Sequence, residues 1–195
     1  MARAFSGLGV QTGLAADRTA LTGLVAGQQF YETDTGLMYL YTGSSWQLFM
    51  PGNFNIVENS TTNYVSTQST SYVSTGLSAT ISKTYSSSKI LVIANCLIAC
   101  WNGNANQDSY TSVRLIETNS SRTKDFFRVL RGYNSNNSIA TGSRMPFQWI
   151  DTVSGTGSRT YRVDFACTEG APDTSEFNFY TNGIARSDIF LQEVF

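Results

Sequence analysis

The sequence contains no histidine among its 195 residues. That absence removes the commonest general base, the commonest metal ligand and the only side chain that ordinarily titrates near neutral pH. Lysine is scarce as well, because only Lys83, Lys89 and Lys124 occur, each in a polar or strand-edge context. We therefore predict a protein that is not an enzyme and that needs no metal ion or other cofactor.

Charge is also sparse. Charged residues make up 14% of the chain, against roughly 25% in an average soluble domain, and the formal net charge is −1. The basic residues are scattered, so the surface offers no strong field for a polyanion to follow. No apolar run is long enough to cross a bilayer, and the first residues lack the apolar core of a secretory signal. We expect neither nucleic acid nor a membrane as a partner.

The three cysteines are Cys96, Cys100 and Cys167. The first two lie in the apolar run 90–101, which we interpret as a buried strand. In an extended strand they would be about 13 Å apart on one face, too far for a disulfide. We favour small buried apolar side chains over redox or metal chemistry, and reduced cysteines suit a protein assembled in a bacterial cytoplasm.

The first part of the chain is rich in glycine and alanine. Residues 1 to about 27 leave room for one short helix, which we predict to begin at an Asp17 cap, run through Leu24 and stop at Gly27. Three strand patterns separated by turns then follow, at residues 28–33, 37–42 and 45–49. They predict a three-stranded β-meander.

A meander this small cannot bury both faces of its sheet by itself, so its aromatic residues need a partner surface. They could pack on the rest of the chain, but we favour contact with another molecule. The predicted docking residues are Phe30, Tyr31, Tyr39, Tyr41, Trp46 and Phe49.

From residue 53 onward, short β-type runs recur between turn signals. Alternation is clearest in Tyr161–Cys167, where Tyr161, Val163, Phe165 and Cys167 share one face. About eight strands at this spacing predict a jelly-roll-like antiparallel β-sandwich of about 140 residues. The predicted strands are 54–57, 72–81, 90–101, 110–118, 125–130, 146–153, 160–167, 177–180 and 188–194.

Polar connections at residues 102–107, 132–138 and 168–173 are expected to cluster at the ends of the sandwich, where they are either solvated or bind carbohydrate. Four carboxylates close in sequence also raise a calcium loop or a glycosidase pair as alternatives. Their spacing matches no calcium-loop pattern, so we set both aside. These carboxylates are Asp164, Glu169, Asp173 and Glu176.

Two stretches resemble phage proteins. Residues 14–49, with Ala16-Asp17-Arg18, Tyr31-Glu32-Thr33-Asp34-Thr35-Gly36 and Gly43-Ser44-Ser45-Trp46, are similar to a small β module of phage tail-fibre and minor virion proteins. Members often have proline after the arginine, where this chain has Thr19. A second set resembles a domain of phage structural proteins, notably from cyanophages. It comprises Tyr72–Leu77, Ser88–Val92, Phe127–Gly132, Trp149–Val153, Tyr161–Val163 and Leu191–Val194.

The second resemblance implies a jelly-roll knob displayed on a virion, usually as a trimer. We therefore expect residues 1–52 to form a virion-docking arm with its β-meander and residues 53–195 to form the knob. The expected protein is a homotrimeric capsid decoration or cement protein on the virion surface, bound to other virion proteins, in particular the major capsid protein. The alternative is a receptor-binding fibre or tail-tip protein that recognises host surface glycan.

Overall fold

The structure, a computed structural model, describes residues 10–50, 55–103, 108–133, 140–178 and 185–194. The chain divides into two compact units, Met1–Phe54 and Asn55–Phe195. Strands are the main regular elements of both units, and no helix among the described residues is long and apolar enough to span a bilayer.

In its described part, residues 10–50, the N-terminal unit is a four-stranded sheet with one short helix. Its strand order is β1-β2-β3-β4, in which β2, β3 and β4 form the predicted antiparallel meander and β1 adds a parallel strand beside β2. The sequence analysis did not predict β1. The elements are β1 (Val10–Gly13), α1 (Ala15–Thr19), β2 (Gln29–Glu32), β3 (Met38–Tyr41) and β4 (Trp46–Met50).

The predicted helix is shorter and lies earlier than expected. α1 ends at Thr19 rather than near Leu24, and Asp17 lies in its first turn instead of capping it. The Asp17 carboxylate accepts a hydrogen bond of 2.8 Å from the backbone N–H of Leu14, which precedes the helix. An acidic side chain in the first turn satisfies a free N–H and complements the helix dipole, which is why it resembles a cap in the sequence.

The described residues of the second unit form ten strands. They are β5 (Ile56–Thr61), β6 (Val65–Thr67), β7 (Val73–Lys83), β8 (Lys89–Trp101), β9 (Asp108–Glu117), β10 (Arg122–Tyr133), β11 (Ala140–Asp151), β12 (Gly157–Cys167), β13 (Thr174–Phe177) and β14 (Ser187–Val194). One sheet has the order β7-β12-β9-β10. The other has β11 along one side of β8, and β14 and β13 along its other side, followed by β5 and β6 respectively.

This strand order is that of a jelly roll. Apart from the short pair β6 and β13, the eight strands form the sheets β5-β14-β8-β11 and β7-β12-β9-β10. In chain order these are first-eighth-third-sixth and second-seventh-fourth-fifth, the arrangement of two interlocked Greek keys. The predicted all-β jelly-roll sandwich is confirmed.

The core lies between the two sheets. β8 contributes six of its thirteen residues to it, every second residue from Ile90 to Cys100, and each is fully buried. From the opposite sheet, Leu77, Leu115, Val163 and Phe165 are also fully buried. Alternation along each strand places these side chains on the inner faces, where apolar burial stabilises the fold by roughly 25 cal/mol per Å².

Some strand boundaries differ from the prediction. β11 begins at Ala140, whereas the sequence analysis placed its start at Pro146, because proline cannot donate to a sheet ladder. Pro146 is tolerated because β11 is paired only with β8 in the described structure. β6 was not predicted. Of the predicted loops, Gly132 and Tyr133 belong to β10, whereas residues 104–107 and 134–138, with part of the predicted strand 177–180, lie outside the described residues.

Candidate protein-interaction surfaces

Four of the six predicted docking residues pack within the N-terminal unit. Register places Phe30 beside Tyr39 and Tyr41 beside Trp46, so all four share one face of the sheet. The Trp46 ring meets Phe30 edge-on at 6.2 Å and Tyr41 at 5.3 Å. The Arg18 guanidinium of α1 lies 4.0 Å from the centre of the Tyr39 ring. Phe30 is only 2% exposed, so its assignment to a docking surface is corrected: it is a core residue.

The same face contains a buried ion pair. Glu32 is 1% exposed and accepts hydrogen bonds from Arg18 Nε at 2.6 Å and Thr35 Oγ1 at 2.5 Å. The neighbouring Asp34 accepts a bond of 3.0 Å from the N–H of Ala15. Motif residues that the resemblance singled out therefore hold α1 against the sheet, which is a structural role.

The surroundings of this face also shift the pKa of Tyr39. Burial raises the pKa of Tyr39 above its ordinary value, the Glu32 carboxylate acts in the same direction, and Arg18 opposes both. The phenol therefore remains neutral at physiological pH, which suits its contact with the guanidinium.

The remaining two predicted docking residues are exposed. Tyr31 lies on the opposite face of the sheet, together with Met38, and is 36% exposed. Phe49 is 53% exposed, beside Leu48 at 37%, where the β3–β4 register shifts. Tyr31 and Phe49 are therefore the two predicted docking residues that remain exposed on the N-terminal unit.

The knob carries a second apolar surface, which the sequence analysis did not identify. Because the inward side chains of β8 alternate with outward ones, Leu91, Ile93 and Leu97 point away from the core. Register places apolar residues of the neighbouring strands on the same outer face, interleaved with the polar residues Asn95, Gln148 and Gln192. We call this set the apolar face, and it consists of Ile56, Leu91, Ile93, Leu97, Pro146, Ile150 and Phe190.

Charged residues of both signs border the apolar face. Glu58, Arg186 and Asp188 line an open groove of about 480 Å³ together with Ile93 and Phe190. Asp188 pairs with Arg186 Nε at 2.6 Å and lies 3.7 Å from a terminal nitrogen of Arg144. The groove lining thus combines apolar side chains, the asparagines Asn59 and Asn95, and charges of both signs.

The outer face of the other sheet is polar by contrast. Its β7 positions are small hydroxyl residues such as Ser78 and Thr80. Asp164, which is 1% exposed, is held by Arg162 Nε at 2.6 Å and Arg114 at 2.9 Å. The hydrogen bond to Asp164 raises the pKa of Arg162, although burial opposes it. The two outer faces therefore differ in the share of apolar side chains, although both carry polar and charged residues.

The four carboxylates weighed for chemistry have separate protein partners. Asp164 has its two arginines, Glu169 lies 3.5 Å from Arg128, and Asp173 accepts the N–H of Gly103 at 2.9 Å. Glu176 accepts bonds from the Tyr64 hydroxyl at 2.6 Å and the Trp101 indole at 2.8 Å. In the described ranges, no group of three or more acidic or cysteine side chains is placed to hold a metal ion.

The three cysteines are free and buried. Burial raises the pKa of the Cys96 thiol to about 12, so the nucleophilic thiolate is not formed near neutral pH. Burial also raises the pKa of Cys100, whose thiol lies 3.0 Å from the Ser109 hydroxyl.

Comparison with known proteins does not identify a family for this chain. No protein-family model matches the chain, and no curated protein matches its sequence. A chain in "Structure of infectious bursal disease virus Gx strain" is similar over 79% of this chain and 40% of its own length, at 10% identity and a TM-score of 0.36. The corresponding Gt strain structure gives 77% and 38%, at 8% identity and a TM-score of 0.28. This chain thus spans about two fifths of either viral chain, and function is inferred below from its own residues.

Proposed function

We propose that this chain is a structural protein of the outer surface of a tailed-phage virion, and that it acts as a homotrimeric capsid decoration or cement protein. The N-terminal unit docks on another virion protein, the major capsid protein, and the jelly roll is displayed outward. The resemblance of both parts of the sequence to phage structural proteins supports this assignment.

The observation that carries the proposal is the exposed aromatic pair on a separate compact unit. Tyr31 and Phe49 are exposed, whereas the other four predicted docking aromatics pack against each other and Arg18. A rigid sheet that presents two aromatic side chains is suited to anchor a protein contact, because aromatic anchors dominate interface energetics. A structural role is also in keeping with carboxylates that are engaged by other side chains.

Truncation tests whether the N-terminal unit is needed for attachment and whether the jelly roll folds without it. A chain limited to residues 53–195 retains the whole jelly-roll core, so it should keep its β-sheet circular dichroism and cooperative melting. It should no longer attach to particles that lack the native protein, as measured by occupancy on purified particles. A truncated chain that is folded and still attaches with full occupancy would refute the docking assignment.

Point variants test which residues make the contact. Tyr31→Ala and Phe49→Ala should each weaken attachment by about 30-fold, the effect of losing an interface anchor, while the melting temperature is unchanged. Trp46→Ala is the matched control, because Trp46 packs on Phe30 and Tyr41 and its loss should destabilise the N-terminal unit. If Trp46→Ala lowers occupancy while the unit remains as stable as before, the docking face is the one beside α1.

Receptor binding is the alternative function, and the aromatic cluster around Glu176 is the place to consider for a glycan. Tyr64 there is 55% exposed. Glu176 is itself only 8% exposed, however, and both of its oxygens already accept hydrogen bonds from Tyr64 and Trp101, so little of the carboxylate is accessible to a sugar. Labelling of the protein on intact particles separates the two functions, because a capsid decoration protein lies on the head and a receptor-binding tail protein lies on the tail.

A further inference from the structure

We propose that Asn102 is a deamidation site and that the Asp173 carboxylate keeps it unreactive in the folded protein. Asn102 and Gly103 directly follow β8 and form one of the two Asn-Gly pairs in the sequence. The other pair, Asn182-Gly183, lies outside the described residues. A glycine after asparagine favours deamidation, because glycine has no Cβ to hinder the approach of its backbone nitrogen.

The reaction joins the backbone of Gly103 to the side chain of Asn102. The Gly103 nitrogen loses its proton and attacks Cγ of Asn102, so a bond forms between these two atoms. The bond from Cγ to Nδ2 then breaks, and the side-chain amide takes up a proton and leaves as ammonia. Water opens the resulting five-membered succinimide at one of its two carbonyls. The product is aspartate or isoaspartate, and the net change is one water consumed and one ammonia released.

The attacking nitrogen has a charged partner in the folded chain. The Gly103 N–H donates a hydrogen bond of 2.9 Å to the Asp173 carboxylate. Asp173 is buried, and its own N–H donates to the Gly170 carbonyl at 2.9 Å, which closes the turn that holds it. The hydrogen bond stabilises the protonated nitrogen, and the nearby negative charge disfavours the amide anion that must form before the attack. The Gly103 nitrogen is therefore a poor nucleophile.

Packing restricts the two reacting groups as well. Asn102 is buried. A Cβ added to Gly103 would lie 2.8 Å from the Pro172 carbonyl oxygen and 2.9 Å from two carbons of the Pro172 ring, so the two residues are in close contact. A misplacement of about 1 Å between reacting atoms can slow an intramolecular reaction about a hundredfold. The contact with Pro172 also explains why residue 103 is glycine, the residue type that makes Asn102 labile.

Deamidation at this position would harm the fold. It would create a new carboxylate at a buried residue, and burying a charge without a partner is costly. Isoaspartate would in addition lengthen the backbone by one carbon directly after β8. Asp173 thus has a protective role, distinct from the metal and glycosidase chemistry considered for it in the sequence.

Peptide mapping by mass spectrometry measures the reaction, because replacement of the amide NH₂ by OH changes the mass and fragmentation locates the changed residue. The purified full-length chain is incubated at mildly alkaline pH, either folded or in urea. Asn102 should deamidate at least about a hundredfold more slowly in the folded chain than in urea, because the nitrogen keeps its proton and its position is restricted.

Variants of Asp173 test its part in the protection. Asp173→Ala should raise the rate in the folded chain by about tenfold or more, the rate equivalent of one hydrogen bond to a charged group. Asp173→Asn keeps an acceptor oxygen without the charge, so its rate should lie between those of wild type and Asp173→Ala. If Asp173→Ala does not fold, Asp173→Asn replaces it and should still exceed the wild-type rate.

Phe165→Ala is the control for global stability. It removes a buried ring that packs on Phe177 and should destabilise the fold at least as much as the changes at Asp173. As long as circular dichroism shows it to be folded, its rate of deamidation at Asn102 should stay close to that of wild type.

Three results would overturn the proposal. One is an equal rate for wild type in the folded state and in urea. Another is a rate in the folded Asp173 variants that is no higher than in wild type; a lower rate would mean that the carboxylate acts as a base that promotes the attack. The third is a rise in Phe165→Ala as large as in Asp173→Ala, which would assign the protection to global stability.

Discussion

Glu193 is the buried carboxylate whose removal should have the clearest effect on stability. It lies near the end of β14, is 2% exposed, and reaches across to the connection between β7 and β8. There its carboxylate accepts hydrogen bonds from the backbone N–H groups of Thr84 at 3.0 Å and Tyr85 at 2.8 Å, and from the Ser88 hydroxyl. The last strand thus holds a corner formed about a hundred residues earlier in the chain.

The loss of stability on removing the Glu193 carboxylate can be estimated from the donors that would be left without an acceptor. A hydrogen bond to a charged group contributes about 1.5–3 kcal/mol, and an unsatisfied buried donor costs about 1–3 kcal/mol. Water can reach the exposed Thr84, so we expect Glu193→Ala to lower the free energy of unfolding by about 2–4 kcal/mol in total. Glu193→Gln keeps one acceptor oxygen and should cost about 1–2 kcal/mol. For a chain of this length, the alanine variant should melt roughly 5–15 °C lower.

The effect should depend on pH in a defined direction. Burial alone would raise the pKa of Glu193, but the bonds from Ser88, Tyr85 and Thr84 outweigh it and hold the pKa below the ordinary 4.5. A lowered pKa in the folded state means that the ionised carboxylate stabilises the protein above about pH 4.5, and that this contribution is lost as the pH falls through the folded-state pKa. The difference between wild type and Glu193→Gln should therefore be full at pH 7 and shrink in acid.

Urea unfolding at pH 7 and at a series of acidic pH values measures both effects. Glu169→Gln is the control, because Glu169 is 38% exposed and its ion pair with Arg128 spans 3.5 Å. Such a surface pair should change stability by less than about 0.5 kcal/mol. The reasoning fails if Glu193→Gln matches wild type at pH 7, or if the difference between them persists unchanged into acid.

Two further predictions concern the core. Phe165→Ala should lower the free energy of unfolding by about 3–5 kcal/mol in denaturant titration, because the ring is fully buried against Phe177, whereas Phe127→Ala, at a position 73% exposed, should have an effect below about 0.5 kcal/mol. Equal effects would contradict the packing described for β12. The three buried thiols, including Cys96 with its pKa of about 12, should not react with a thiol reagent at pH 8 until the chain is denatured. Rapid labelling of the folded protein would show that a cysteine is accessible.

The jelly roll could be predicted because its strands carry strong local patterns. The alternation from Tyr161 to Cys167 fixes which side of β12 faces the core, and the structure buries those side chains. Elements that depend on distant pairing were missed. β1 is ordered by its parallel pairing with β2, and β6 has only three residues beside β13. The first half of β11 is polar, and its strand conformation follows from pairing with β8.

The interaction surfaces were harder to predict than the fold. Counting aromatic residues could not show that Trp46 packs within the unit whereas Tyr31 is exposed. That difference depends on strand register and on Arg18, which covers one face of the sheet. The apolar face did have a signal in the sequence. β8 is apolar at alternate and intervening positions alike, the composition of a strand covered on both sides. The sequence analysis interpreted this run only as a core strand, and so it missed that Leu91 and Ile93 point away from the core.

The position of β14 at the centre of its sheet has a consequence for synthesis on the ribosome. β14 lies between β5 and β8, so both earlier strands have an open edge until the last eight-residue strand has left the exit tunnel. The β5-β14-β8 part of the sheet therefore cannot form before β14 is available, and an unfinished chain exposes two unpaired strand edges, the kind of surface that favours aggregation.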